Sequence, residues 1–348
     1  MTETKGLVAL VTRNLRQSGI YIAFAAIIVL FTIMTDGVLL NPNNLTNLVL
    51  QYSYILILAI GMVMVIIAGH IDLSVGSVVA LAGAVAAVLI QQQGWSWWSA
   101  IIAALVVGIM VGVWQGFWVA FVGIPAFIVT LAGMLLFRGL TLLILDNISI
   151  SIYDEGYKQV AGGFLNGLIG GQGFDAFTLL VFAIGVVGFA AMQWRARAAR
   201  VAYQQDVEGM PAFIGKIVAV AVLVMAFAWH LATARGLPIV LILLALLIMI
   251  YTLITKRTVF GRHIYAIGGN LAAAQLSGVK VKWVNFMIFV NMGFLSALAG
   301  VVFSSRSSSA QPAAGTMFEL DAIAACFIGG AARTGPHQGL TYRSTSRP

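Results

Sequence analysis

The sequence predicts an all-α protein, a polytopic bundle of transmembrane helices. Of its 348 residues, 61% are hydrophobic and 9% are charged, and the mean hydropathy is +1.01. A soluble domain carries about 25% charged residues. Apolar runs recur along the chain, and most of them have roughly the 20 residues that a helix needs to cross a bilayer. The basic residues lie in short loops between these runs, so the net charge of +8 indicates membrane orientation rather than a nucleic-acid partner.

Nine apolar segments are predicted to be complete spans, and a tenth is incomplete. The first follows basic residues but lacks small residues at a cleavage position, which favours a retained helix over a signal peptide. The predicted spans cover residues 19–35, 48–68, 77–90, 98–121, 126–145, 176–194, 212–233, 237–255 and 283–303, with the tenth beginning at 318 and stopping at about 332.

The distribution of Lys and Arg predicts a cytoplasmic N-terminus. With that orientation, three clusters of cations fall on the cytoplasmic side, as the positive-inside rule requires. They are Lys5, Arg13 and Arg16 before the first span, Arg195, Arg197, Arg200 and Lys216 after the sixth, and Lys256, Arg257, Arg262, Lys280 and Lys282 before the ninth. The segment 148–174 is then an extracytoplasmic loop, with room for an interfacial helix.

Several kinds of chemistry find no support in the sequence. Cys326 is the single cysteine, which excludes an internal disulfide and a Cys-rich metal site. The four histidines are scattered, with no pair at helical ligand spacing. An intramembrane enzyme would need paired carboxylates or a histidine beside a nucleophile. We therefore predict no catalytic residue, no metal and no cofactor.

The segment 69–77 is an apolar run interrupted by a glycine and a carboxylate, Asp72. A carboxylate at membrane depth costs roughly 2.5–3.5 kcal/mol on insertion scales, so a chain that keeps one there uses it. In one interpretation, Asp72 and Ser74 cap a helix that begins near Val75. In the other, Asp72 lines a polar pathway. The predicted pathway residues are Gln51, Asp72, Ser74, Arg138 and Asn291. The alternative role is structural anchoring for Arg138 and interhelical hydrogen bonding for the other four.

Two further segments stand out. In 124–139, Pro125 fits the first turn of a helix, and Arg138 either reaches the outer interface or pairs with Asp146. In 260–279, Gly268, Gly269 and Asn270 form a turn and a cap, residues 271–276 form a short helix, and Ser277 and Gly278 end it. A small Ala-rich helix on the cytoplasmic face suits docking into a groove of another protein.

Taken in order, the segments 69–77, 125–139 and 265–278 resemble the monosaccharide permeases of bacterial ATP-binding-cassette importers. The basic insertion 194–216 is most similar to the xylose and multiple-sugar branch of that family. The resemblance covers about residues 11–330. It implies an inner-membrane subunit that translocates xylose or a related monosaccharide without an active site of its own.

The resemblance also implies partners. A periplasmic sugar-binding protein would deliver the sugar, a second permease copy would complete a homodimer, and cytoplasmic ATPase subunits would hydrolyse ATP. Those subunits would grip the short helix through Gly268, Gly269, Asn270, Ala273, Ala274, Leu276, Ser277 and Gly278.

The chain also departs from the family pattern. Ala272 and Gln275 stand where the family often has Glu and Arg, which weakens a charged contact with the ATPase. After Gly330 the composition turns polar, as a truncation or frameshift would produce. We therefore expect a permease domain over 1–330 and an aberrant, disordered tail over 331–348. A non-functional truncated permease and an ion-coupled secondary transporter remain the alternatives.

Overall fold

The computed structural model describes residue 19 and residues 22–171, 173–205 and 207–330. The predicted polar tail, 331–348, lies outside the described residues. The chain divides into two units, which are treated separately below. The first combines the described part of Met1–Leu48 with Leu165–Leu237, and the second combines Val49–Phe164 with the described part of Pro238–Pro348.

The described residues are mainly helical. The helices are α1 (Ile22–Met34), α2 (Pro42–Ile67), α3 (Val75–Gln91), α4 (Trp97–Phe117), α5 (Ala126–Leu145), α6 (Glu155–Gly162), α7 (Ala176–Ala202), α8 (Met210–Ala234), α9 (Ile239–Arg257), α10 (Val259–Gly269), α11 (Leu271–Leu276), α12 (Val281–Ser307) and α13 (Phe318–Ile328). A 3-10 turn covers Val38–Leu40, and a π-helical turn, Trp118–Val122, continues α4. The strands have two residues each: β1 (Ile150–Ser151), β2 (Phe164–Leu165), β3 (Leu237–Pro238) and β4 (Ser309–Ala310).

The predicted polytopic helical class is confirmed, but the number of spans is only partly so. Within the described ranges, seven helices are long and apolar enough to cross a membrane, while α1 and α3 are apolar but shorter. The tenth predicted segment forms α13, an 11-residue helix. Nine complete spans and a cytoplasmic N-terminus therefore remain predictions.

Small residues bring three helices of the second unit into close contact. A methyl group on Gly300 of α12 would overlap the carbonyl oxygen of Val79 in α3, and one turn later Gly83 faces Ser304, so α3 and α12 run in the same direction. In α4, by contrast, Gly108 faces Gly293 of α12, and the next contacts along α4 involve earlier residues of α12. The helices α4 and α12 are therefore antiparallel. These directions agree with the predicted order in which the chain crosses the membrane.

The loop after α5 is fastened to the end of α12. Strand β1 pairs antiparallel with β4, with Ile150 opposite Ala310. In α6, which fulfils the expectation of a helix in the segment 148–174, the Tyr157 hydroxyl lies 2.7 Å from the Ser304 hydroxyl. The Ser305 hydroxyl donates to the Tyr157 carbonyl at 2.7 Å. Burial raises the pKa of Tyr157, and its hydrogen bond with Ser304 opposes that rise.

In the first unit, α7 and α8 form a helical hairpin held by aromatic pairs. Ring pairs lie along its length, at Phe174–Trp229, Phe182–Phe227 and Trp194–Phe213. Asp175 caps α7: its carboxylate accepts hydrogen bonds from the Thr178 amide at 2.9 Å and from the Gly167 amide at 3.0 Å. Partial burial raises the pKa of Asp175, but the bonds from Thr178 and Gly167 outweigh it and leave the pKa below its usual value.

Candidate transport pathway and coupling surface

The helical structure is interrupted between α2 and α3, in the segment that the sequence analysis singles out. This interruption is called the break below. Helix α2 ends at Ile67, Gly69 turns the chain with φ +85°, and α3 begins at Val75. Because Val79 packs on Gly300 in a parallel pair, Val75 lies level with residue 296, near the middle of the 27-residue α12. The break therefore lies level with the middle of helix α12.

A buried polar cluster occupies the break. One oxygen of the Asp72 carboxylate accepts from the Ser74 amide at 2.8 Å and from the Ser74 hydroxyl at 2.7 Å. The Gln115 amide of α4 donates to the Ser74 hydroxyl oxygen at 2.6 Å. From α5, the Thr130 hydroxyl donates to the Ile71 carbonyl at 3.4 Å. Asp72 is only 2% exposed and Gln115 is also 2% exposed, so the cluster is enclosed by protein.

This cluster changes the capping interpretation. Helix α3 starts at Val75, as predicted, but the Ser74 side chain makes no cap hydrogen bond. Its hydroxyl is already engaged, since it donates to Asp72 and accepts from Gln115. Asp72 therefore fixes the conformation of the broken segment and does not cap α3, so the side-chain capping prediction is wrong.

The start of α13 approaches the same place. The backbone of Gly315 contacts that of Gly76, and a Cβ on Gly76 would lie 2.6 Å from a carboxylate oxygen of Glu319. Arg138 of α5 donates a hydrogen bond to the Ala314 carbonyl, in the segment that leads into α13. The predicted pairing of Arg138 with Asp146 is wrong, because Arg138 bonds the Ala314 carbonyl and Asp146 follows the end of α5, eight residues or about 12 Å further on.

The other predicted pathway residues lie elsewhere. Gln51 is exposed on α2, sixteen residues before the end of that helix, or about 24 Å along its axis. Asn291 of α12 accepts a 2.5 Å hydrogen bond from the Tyr251 hydroxyl of α9. The interhelical alternative therefore describes Asn291 well. Asp72, Ser74 and Arg138 are the predicted residues that converge on the break.

A cavity opens beside the polar cluster. Its volume is about 330 Å³, and its walls are Gly69, His70 and Ile71 on one side and Val119 with residues 123–127 on the other. Small-molecule sites in proteins occupy about 300–1,000 Å³. This space, which the broken segment lines through Gly69, His70 and Ile71, is thus of the size that a small solute needs.

Sequence reasoning missed several members of this site. Gln115 was detectable, because it is an isolated amide in the otherwise apolar stretch that forms α4. Thr130 and Glu319 carried a weaker signal, since a threonine or a helix-terminal carboxylate is common in any span. Their partners lie far along the chain, as with Thr130 and Ile71, which are 59 residues apart.

The short helix predicted over 271–276 forms as expected. The turn predicted at Gly268 and Gly269 is wrong, because both residues belong to helix α10, and Asn270 alone separates α10 from α11. The Asn270 side chain accepts from the Ala273 amide at 3.0 Å and caps α11. Gly278 follows the helix with φ +82°, a left-handed conformation that suits glycine and ends it.

The faces of α11 differ sharply in exposure. Leu276 is 91% exposed, an unusual state for a leucine, and Ala273 is exposed beside it. Ala274 is 4% exposed and belongs to the apolar core of the second unit. Gly268 is half-buried, and a methyl group there would overlap the carbonyl oxygen of Ile67. Of the predicted coupling residues, Ala274 therefore packs against the core, and Gly268 packs against the end of α2.

The comparison with known proteins decides the family. The family model described as "Branched-chain amino acid transport system / permease component" matches residues 44–339. The chain belongs to this permease family. No solved structure matches the chain.

Curated relatives of the permease include sugar transport proteins. It is 40% identical over 330 residues to the xylose transport system permease protein XylH of Escherichia coli K12, covering 95% of this chain and 82% of the relative. Identity to the Haemophilus influenzae XylH is 38%, covering 92% and 84%. Identity to the ribose import permease protein RbsC of Bacillus subtilis is 34%, covering 92% and 78%.

In the permease, the exposed helix and the polar cluster are physically connected. The Gly268 backbone of α10 rests on the Ile67 carbonyl at the end of α2, two residues before Gly69. Helix α10 is followed directly by α11, with Asn270 between them. The end of α10 that leads into α11 therefore lies against the start of the broken segment.

Proposed function

We propose that this permease is the membrane-spanning subunit of an ATP-binding-cassette importer that carries xylose or a related monosaccharide across the bacterial inner membrane. The observation that carries the proposal is the 40% identity to a xylose permease across 95% of the chain. The identities of 33% and 34% to ribose permeases support the same class of solute and favour xylose within it.

The site chemistry supports a neutral, hydroxyl-rich solute. In this proposal, the change in conformation of the segment 69–74 brings the buried carboxylate, hydroxyl and amide of Asp72, Ser74 and Gln115 to the solute. Such groups hydrogen-bond sugar hydroxyls without requiring a charge on the solute. The adjoining cavity of about 330 Å³ is large enough for a small solute.

We propose three partners for the permease. Cytoplasmic ATPase subunits bind the exposed side of α11, where Leu276 and Ala273 face away from the core, and they carry out ATP hydrolysis. A periplasmic binding protein supplies the sugar, and a second copy of the permease completes a homodimer. The apolar, small-residue character of α11 fits a helix-in-groove contact.

The coupling step follows from the contact between α10 and α2. When the ATPase subunits close, they displace α11, and α10 transmits that displacement through Gly268 to Ile67. The segment from Gly69 to Ser74 then changes its conformation against Gln115 and Thr130, which opens or closes the path beside Asp72. The permease itself performs no bond chemistry.

Uptake by the reconstituted importer tests the proposal. Proteoliposomes containing the permease, the ATPase subunits and the binding protein are expected to accumulate labelled xylose in an ATP-dependent manner. Ala273→Glu should abolish uptake and uncouple it from ATP hydrolysis while membrane insertion stays normal, because a bulky charge then occupies the docking face. Ala202→Glu, at an exposed alanine near the end of α7, is the matched control.

The outcomes separate the alternatives. Normal coupled uptake by Ala273→Glu would contradict the docking role of α11. Accumulation driven by an ion gradient without ATP would support the ion-coupled transporter, and ATP-dependent uptake of ribose without xylose would overturn the sugar assignment. Failure of the unaltered chain to transport any sugar would agree with the non-functional alternative.

A further inference from the structure

The end of the α7–α8 hairpin contains a small cavity that plays no part in the transport proposal. Its volume is about 80 Å³, and it lies where the last turns of α7 meet the first turns of α8. A water molecule accounts for about 30 Å³ of liquid volume. The cavity therefore suits a group as small as an oxyanion rather than a sugar ring.

Its polar walls are predominantly basic. Arg197, Arg200 and Lys216 line the cavity, with Glu208 as the one acidic residue among its described walls. The charges of these four residues sum to an excess of two positive charges. Asp206, the other acidic residue of this stretch in the sequence, lies outside the described residues.

Arg197 and Lys216 are held in position by neighbouring groups, and Glu208 contacts both of them. The Arg197 guanidinium stacks 4.9 Å from the centre of the Phe213 ring and donates to the Glu208 carbonyl at 2.5 Å. The Lys216 ammonium lies 3.3 Å from the Glu208 carboxylate, and its side chain is 63% exposed. Lys216 can therefore bind a second anion, and so can Arg200, which is exposed at the cavity wall.

The backbone adds to this preference for an anion. Helix α8 begins at this cavity, and Gly209 before it provides no side-chain cap. The first turn of α8 contains no acidic residue either. The positive end of a helix favours a negative group, and the start of α8 lies between the cavity walls Glu208 and Phe213.

The surroundings are those of a lipid interface. Only 6% of the apolar window of α7 and 11% of that of α8 are buried, so both helices present apolar side chains outward along most of their length. Trp194 and Tyr203 are exposed near the same end of α7, which is typical of residues at the headgroup level. An occupant with an anionic head and apolar chains matches both parts of this surface.

We propose that this cavity binds the phosphate of an anionic phospholipid whose acyl chains lie along α7 and α8. Arg200 and Lys216 contact the phosphate, and Arg197 is held over Phe213 as the third positive charge. Glu208 occupies the cations when the lipid is absent and competes with it. The binding is independent of the proposed sugar transport.

Native mass spectrometry of the full chain in nanodiscs tests the proposal, with phosphatidylglycerol as the anionic lipid and phosphatidylcholine as the neutral one. Retention of phosphatidylglycerol should fall about fivefold for Arg200→Gln, since one cation near a membrane surface contributes about 1 kcal/mol. Glu208→Gln should increase retention, because it removes the internal competitor. A misfolded variant would lose lipid, so a gain of retention in Glu208→Gln excludes misfolding as the cause of the change.

Arg195→Gln is the matched control. Arg195 lies on the same helix, is exposed, and is not among the cavity walls. Unchanged retention in Arg195→Gln supports the proposal, and an equal loss in both arginine variants would overturn it in favour of a diffuse surface charge. Equal retention of the two lipids would also overturn it. Displacement of phosphatidylglycerol by millimolar inorganic phosphate, with phosphate alone stabilising the chain as much as lipid does, would identify a free-anion site instead.

Discussion

The contact of α3 and α4 with α12 and the α7–α8 hairpin both join apolar helices, but they do so by opposite means. In the first, glycines let backbones touch, as at Gly293 and Gly300, and 61% of the apolar window of α12 is buried. In the second, aromatic rings bridge two helices that remain mostly exposed. Without a hydrophobic driving force between helices in lipid, close packing has to come from small residues. The polar cluster at Asp72 is built on the close contact, where it can be enclosed.

The largest effect that would test this contrast is expected from a glycine of the close contact. Gly293→Val would force a side chain into the backbone of Gly108 and Gly112, and we expect a loss of about 3 kcal/mol of stability and poor yield of folded protein. Gly188→Val on α7 is the control, because nothing lies within 4 Å of its Cβ position. Thermal unfolding in detergent measures both, and equal melting temperatures would contradict the contrast.

The next effect concerns the cluster that the close contact encloses. Gln115→Leu removes the donor to Ser74 and should cost about 2 kcal/mol, since it leaves buried polar groups with fewer partners. It should also lower sugar uptake, because the broken segment loses its tie to α4. Gln51→Leu changes the same residue type at an exposed position and should leave both properties unchanged. Wild-type uptake by Gln115→Leu would remove the residue from the pathway.

A smaller effect is expected where α6 meets α12. Tyr157→Phe deletes one hydrogen bond to Ser304, and the Ser304 hydroxyl keeps its bond to the Gly300 carbonyl at 2.8 Å. We therefore expect a loss of about 1 kcal/mol. Tyr153→Phe, at a tyrosine that is 73% exposed, serves for comparison. A thermal shift of the same size in both variants would show that the bond contributes nothing.

The smallest effect is expected in the pH dependence of the stability of the α7–α8 hairpin. Because the folded pKa of Asp175 is lowered, its stabilising contribution is present above the unfolded value of about 3.9 and is lost as the pH falls through the lower folded value. Asp175→Asn should cost less than about 1 kcal/mol at neutral pH and should flatten the acid limb of the stability curve. Asp36→Asn, at an exposed loop position, should leave that limb unchanged. An unaltered acid limb in Asp175→Asn would contradict the assignment.

Hydropathy located the seven helices of the described residues that are long and apolar enough to cross a membrane, because the bilayer requires long apolar helices. The span predicted over 126–145 has the bounds that α5 has in the structure. The prediction for α7 ended at 194, but the helix continues to Ala202 through Arg195, Arg197 and Arg200. Arginine is a good helix former, so a charged stretch marks the edge of the bilayer without ending the helix.

The site was less accessible to sequence reasoning. Local signals located the break at Asp72 and the cap at Asn270, because each depends on residues a few positions apart. The hydrogen bond that Gln115 donates to Ser74 joins residues 41 positions apart, and the bond from Arg138 to the Ala314 carbonyl joins residues 176 positions apart. Such pairs are set by how the helices pack, which a single sequence does not encode in any local pattern.

The seating of Gly268 on the Ile67 carbonyl has a consequence for how such importers diversify. Since the junction is made of main-chain atoms, its geometry is insensitive to which side chains surround it. Under the proposed docking, residues such as Ala272, Ala273 and Leu276 on the outer side of α11 are then free to vary and to match a different ATPase subunit. In the proposed importer, the ATPase contact and the sugar path can therefore change independently, while the contact of Gly268 with Ile67 is kept.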